Sequence, residues 1–86
     1  MELHVGMHVV YCDEVSVDHD ALITAVWGPD CVNLLFVAKD ASMQDQYGRQ
    51  IVRESSVTRG GPTTAHGRYW RLPSEGPQER KAPVAV

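Results

Sequence analysis

Apolar and polar residues alternate with a period of two along most of this chain, the spacing that puts every second side chain on one face of a strand. In residues 5–12, VGMHVVYC, Met7, Val9 and Tyr11 share one face, and His8, Val10 and Cys12 the other. Residues 13–20 are polar and punctuated and read as a loop. ALITAVW (21–27) is rich in β-branched residues and ends at Gly28-Pro29-Asp30, a strong turn signal. CVNLLFV (31–37) follows at once, which predicts an antiparallel hairpin. Residues 38–49 have no clear period and read as an excursion or a widened hairpin, with Gly48 supplying a positive φ. QIVRESSV (50–57) alternates Ile51, Arg53, Ser55 and Val57 against Val52, Glu54 and Ser56. A second break at Arg59-Gly60-Gly61-Pro62 precedes a short last strand over 68–72.

Five short strands with tight turns predict an all-β domain, a small five-stranded antiparallel barrel of the SH3-like kind spanning 1–73. Closure of a barrel removes the exposed edges of a flat sheet. The OB-fold is the competing architecture; its usual helix finds room only in residues 38–47. Val9, Ile23, Val32, Leu34 and Ile51 are expected to point inward. Residues 74–86 contain Pro77 and Pro83 and few large side chains, and read as an extended or disordered Pro-rich tail.

A chain of 86 residues has a small core, and oligomerisation is a common remedy for that. Its length also argues against a self-contained enzyme. The net charge of −3 argues against tight binding to duplex DNA, which needs many phosphates neutralised. No apolar run is long enough to span a bilayer, and the N-terminus lacks a secretory pattern, so the expected location is cytoplasmic. Cys12 and Cys31 are too few for a disulfide scaffold and read as small reduced thiols on strands.

Charge is unevenly distributed. Residues 1–42 hold seven carboxylates against Lys39 alone, a net of −6, whereas 43–71 hold five arginines against Asp45 and Glu54, a net of +3. Tyr47, Tyr69 and Trp70 lie among those arginines. Guanidinium groups fork onto phosphate or carboxylate. The basic half therefore predicts an anionic, nucleotide-like partner, or else the acidic half of a neighbouring subunit. Metal and nucleophile chemistry find weaker grounds. His4, His8 and Cys12 are spaced four apart, which on a strand is about 13 Å, too far to share an ion. His19 between Asp18 and Asp20 reads as an acidic loop and a weak cation site. No serine sits in a G-x-S-x-G turn. No cofactor is expected.

HVVY (8–11), ALITAVWG (21–28), CVNLLFV (31–37), DQYGRQI (45–51) and AHGRYW (65–70) together resemble a group of small uncharacterised bacteriophage proteins, in which similar segments recur in this order. The resemblance covers most of residues 8–71 and implies a small barrel, a phage context and the cytoplasm of an infected bacterium. It brings no established activity. By analogy with other small phage proteins, it implies an anti-defence role: sequestration of a cyclic nucleotide or ADP-ribose-type host immune signal, or binding to a host protein. On that reading Arg49, Arg53, Arg68 and Arg71 hold phosphates, Tyr47, Trp70 or Trp27 stacks on the base, His66 donates a hydrogen bond, and a homo-oligomer encloses the ligand. The alternatives are a virion assembly protein, with the tail as a docking arm, and a single-stranded nucleic-acid module.

Overall fold

The computed structural model describes residues 2–60 and 67–75. All regular structure among them is β. The strands are β1 (His8–Cys12), β2 (Asp18–Val26), β3 (Cys31–Val37), β4 (Gln44–Asp45), β5 (Gly48–Arg49), β6 (Ile51–Thr58) and β7 (Tyr69–Arg71). Five of them form one antiparallel sheet in the order β6-β3-β2-β1-β7. The short β4–β5 hairpin stands apart within the β3–β6 connection. The space considered for an OB-type helix thus holds a hairpin, with Tyr47 at its turn and Gly48 at φ 112°. No helix among the described residues is long and apolar enough to cross a membrane.

Two bulges curl the sheet. Thr24 is an extra residue on β2, between the pairs Ile23↔Leu34 and Ala25↔Asn33. On β6, Glu54 and Val57 are three positions apart, while their partners Leu34 and Val32 are two apart. Ser56 absorbs that excess in the left-handed region, at φ 54°. The Asn33 amide oxygen fixes the bend by accepting from the Ser56 N–H at 2.9 Å and from the Trp27 indole N–H at 2.8 Å. The curl brings the outer strands together at one end. There Arg59 bridges Trp70, and the Gly60 N–H donates to the Trp70 carbonyl at 2.8 Å. The result is a half-barrel of the SH3-like kind.

The concave face holds the core: Val9, Tyr11, Ala21, Ile23, Val32, Leu34, Phe36, Val57 and Trp70. Val9, Ile23, Val32 and Leu34 are therefore inward, as the alternation predicted. Ile51 is not; it is 61% exposed. The bulge is the reason. Strict alternation puts Ile51 on the side of Val57, but the extra residue at Ser56 reverses the parity, so Val52 packs against the core instead. The first connection is also shorter than expected. β2 begins at Asp18, and the turn occupies only 13–17, closed by the Asp13 N–H donating to the Val17 carbonyl at 3.0 Å. Cys12 is buried and Cys31 half-buried, and the two form no disulfide.

Of the expected tail, only Ser74 and Glu75 lie among the described residues. They belong to the turn that follows β7. The Glu75 carboxylate accepts from the Leu72 N–H at 2.9 Å and pairs with Arg59, so ordered contacts run past residue 73.

Candidate functional site

The open end of the half-barrel is a mouth between the 13–17 turn and the β3–β6 connection. It contains a cavity of about 480 Å³, within the usual range of small-molecule sites. Inward residues of four strands make its floor. Tyr11 faces His19 across β1–β2, and Phe36 faces Val52 across β3–β6. The rings form a cluster. Tyr11 stacks on Phe36 with centroids 4.9 Å apart, and the His19 ring lies 4.3 Å from Phe36. Val15, Val17 and Met43 add apolar walls from the two connections.

Four carboxylates line this cavity, Asp13, Glu14, Asp40 and Glu54, against the single ammonium of Lys39. Lys39 in turn donates to the Asp18 carbonyl. Asp13 organises one side. Its Oδ1 accepts from the Val15 and Val17 N–H groups at 3.0 and 2.9 Å, while Oδ2 accepts from the His19 Nε2–H at 2.9 Å. Burial pushes the Asp13 carboxyl up, but the bonds from His19, Val17 and Val15 outweigh it and hold the pKa below the ordinary value. His19 is only 6% exposed, and its Nδ1 is buried with no hydrogen-bond partner. With Nε2 donating to a carboxylate, the neutral ring carries its lone pair on Nδ1.

Glu54 organises the other side. Arg68 donates to Glu54 and to the Ser55 carbonyl, both at 2.9 Å, and hydrogen-bonds the Tyr11 hydroxyl. Burial raises the Tyr11 pKa, and the Glu54 charge adds to it against the opposing effect of Arg68. The described lining contains no serine, threonine or cysteine. Among the described residues no three metal-ligating side chains converge.

None of the described residues expected to bind ligand lines this cavity. Trp70 is the clearest correction: it is fully buried, its indole N–H donates to the Asp30 carbonyl at 3.0 Å, and the Arg59 guanidinium covers the ring at 5.7 Å. Its ring is core, with no face for a base. Arg71 is buried and committed to Asp18 at 3.1 Å and to the Glu75 carbonyl. Arg68 comes nearest the mouth, but paired with Glu54. Arg49 donates to Gln44 within the β4–β5 hairpin, and Tyr47, 87% exposed, marks the turn of that hairpin. Arg53 lies on the convex face opposite Leu35. Trp27 is exposed at the β2–β3 turn, its indole N–H on Asn33 and its backbone N–H on the Cys31 carbonyl, and it does not line the cavity. His66 lies outside the described residues.

The arginines therefore do not converge, because the bulge and the strand order disperse them. Sequence reasoning missed Asp13 and Glu54, and it placed His19 in an acidic loop where the structure has it on β2. The signal for His19 was present: His19, Ala21 and Ile23 continue the inward alternation of β2 two residues further back than the β-branched run. Compared with protein families, curated proteins and solved structures, the chain matches none.

Proposed function

We propose that this is a non-enzymatic binding module whose mouth cavity captures a small organic cation, an apolar or aromatic body carrying an amine or guanidine. The observation that carries the reading is the convergence of four carboxylates on a cavity with aromatic and aliphatic walls. An ammonium or guanidinium pairs with Asp40 or with the second carboxylate oxygen of Glu54, whose Oε1 is taken by Arg68. The apolar walls take the body of the ligand. A phosphorylated ligand meets the opposite situation, since it brings negative charge to a rim that already repels it.

The resemblance to phage proteins gives capture a context. Holding a host-made small molecule away from its receptor needs tight, enclosed binding and no chemistry. On this proposal the ligand is cationic, where composition led to the expectation of an anionic signal.

The test is an NMR titration of the ¹⁵N-labelled protein with agmatine, phenethylamine and spermidine. The expected result is saturable shifts at 13–19 and 36–43 with the β4–β5 hairpin turn unaffected. Shifts spread over the convex face, or none with any amine, would overturn the assignment.

A further inference from the structure

The half-barrel leaves a strand edge open beside the mouth. β6 is an outer strand of the sheet, with β3 on one side. The Ala38 N–H donates to the Gln50 carbonyl at 2.9 Å, so position 50 turns its backbone toward β3. Backbone groups alternate sides along a strand, and the register runs without a shift from Val37↔Ile51 to Leu34↔Glu54. Val52 and Glu54 therefore also bond toward β3, while Ile51, Arg53 and Ser55 turn their N–H and C=O groups outward. The Ser55 carbonyl fits this phase, since it accepts from Arg68 at 2.9 Å. Among the described residues the outward groups of Ile51 and Arg53 have no such partner. The seam toward β7 closes beyond them, first where Arg68 reaches Ser55 and then at the Arg59–Trp70 bridge. An open edge of this kind is a template for a further strand.

Residues opposite one another on neighbouring strands share a face of the sheet. A strand laid along β6 therefore points its residue opposite Val52 to the concave side, where Val52 and Glu54 line the mouth. That residue meets an excess of negative charge, from Asp13, Glu14, Asp40 and Glu54 against Lys39. Arg68 shows the mode of contact within the chain: its guanidinium donates to an edge carbonyl of β6 and to the Glu54 carboxylate together, each at 2.9 Å. We propose that the Ile51–Arg53 edge and the mouth form one recognition surface for an extended peptide, added as a strand whose Lys or Arg side chain enters the mouth. The proposal rests on the reading of the mouth as a cation site and names what carries the cation. Edge hydrogen bonds give affinity whatever the sequence, and the acidic mouth selects the side chain. The apolar stem of a lysine or arginine suits Val52 and Phe36, which face each other there, and its charged head suits the carboxylates.

Amide hydrogen exchange followed by NMR on the full chain tests this, with the capped peptide acetyl-Thr-Val-Lys-Val-Thr-amide as probe. Without peptide, the Ile51 and Arg53 amides should exchange fast and those of Val52 and Glu54 slowly. Saturating peptide should slow Ile51 and Arg53 by about tenfold or more. The peptide should bind about tenfold or more tightly than n-butylamine, the amine of its lysine side chain, because the edge bonds are added. N-methylation of its three central residues should return it to the level of that amine, and glutamate in place of its lysine should abolish binding. Slow Ile51 and Arg53 amides before peptide is added would give the edge to this chain's own segments or to a second copy, and overturn the proposal. A peptide no tighter than n-butylamine, with both amides still fast, would also overturn it, while leaving the cation site standing. Equal protection by the glutamate peptide would remove the mouth from the recognition and overturn it as well. No binding of peptide or amine would end both this proposal and the cation reading.

Discussion

The concave and convex faces of this sheet are written by alternate residues of the same strands, yet they differ in kind. The concave side ends in a mouth with an aromatic floor, four carboxylates and a buried imidazole held by Asp13. The convex side offers aliphatic side chains with Arg53 and Asp20 at its flanks. On β6 the two characters interleave residue by residue: Val52 and Glu54 turn inward, Ile51 and Arg53 outward. The difference teaches that charge along this chain is sorted by strand parity and not by sequence halves. The acidic first half and the basic second half meet inside one subunit, at Asp18–Arg71, and Glu54 takes Arg68 within the basic half itself.

The sharpest way to break the comparison is at the core that separates the faces. Trp70→Ala should cost roughly 3–5 kcal/mol, and Leu34→Ala roughly 2–5 kcal/mol, both measured by denaturant unfolding. A neutral Trp70→Ala would mean that the ring is not core, and would return it to the set of contact residues.

A middle-sized effect is expected at the mouth. Asp13→Asn should lose about 1–3 kcal/mol at neutral pH, because the buried His19 Nε2–H loses its charged acceptor. It should also flatten the acid limb of stability. A carboxyl whose folded pKa is lowered contributes stability that is complete above its unfolded value, 3.8 for Asp13, and is lost as pH falls through the folded value. The wild type should therefore weaken more steeply than the variant below about pH 4. Parallel acid limbs would show that Asp13 does not hold the turn and the imidazole together.

The smallest effect belongs to the convex side. Ile51→Ser should change the stability of the monomer by no more than about 0.5 kcal/mol, as surface substitutions do, when unfolding is followed at low protein concentration. A loss comparable with that of Leu34→Ala would place Ile51 in the core and remove the bulge-driven change of face.

Ile51 also marks the limit of what the sequence discloses. Period-two alternation revealed the β class, β3 to the residue, and four inward residues, because strands with one buried face must alternate. It misplaced Ile51 because a bulge adds a residue without a compositional mark; Ser55-Ser56 looks like ordinary solvated strand until Ser56 is seen in the left-handed region. The site was less legible than the fold. Arg68 and Arg71 stand out in a composition, but their carboxylate partners lie 14 and 53 residues away in sequence. A buried histidine such as His19 carries no such flag, and only the extended alternation of β2 reveals it.

The central claim is that the mouth selects positive charge. Calorimetric titration of one protein preparation with matched panels tests it most directly: agmatine, phenethylamine and spermidine on one side, cyclic di- and trinucleotides and ADP-ribose on the other. The account predicts saturable binding of at least one amine, weakened by about tenfold or more in Glu54→Gln through loss of a charge-assisted hydrogen bond, and no heat from any nucleotide. Nucleotide binding abolished by Arg53→Glu or Arg68→Glu, with no response to the amines, would contradict it and restore the anionic ligand that the composition first indicated.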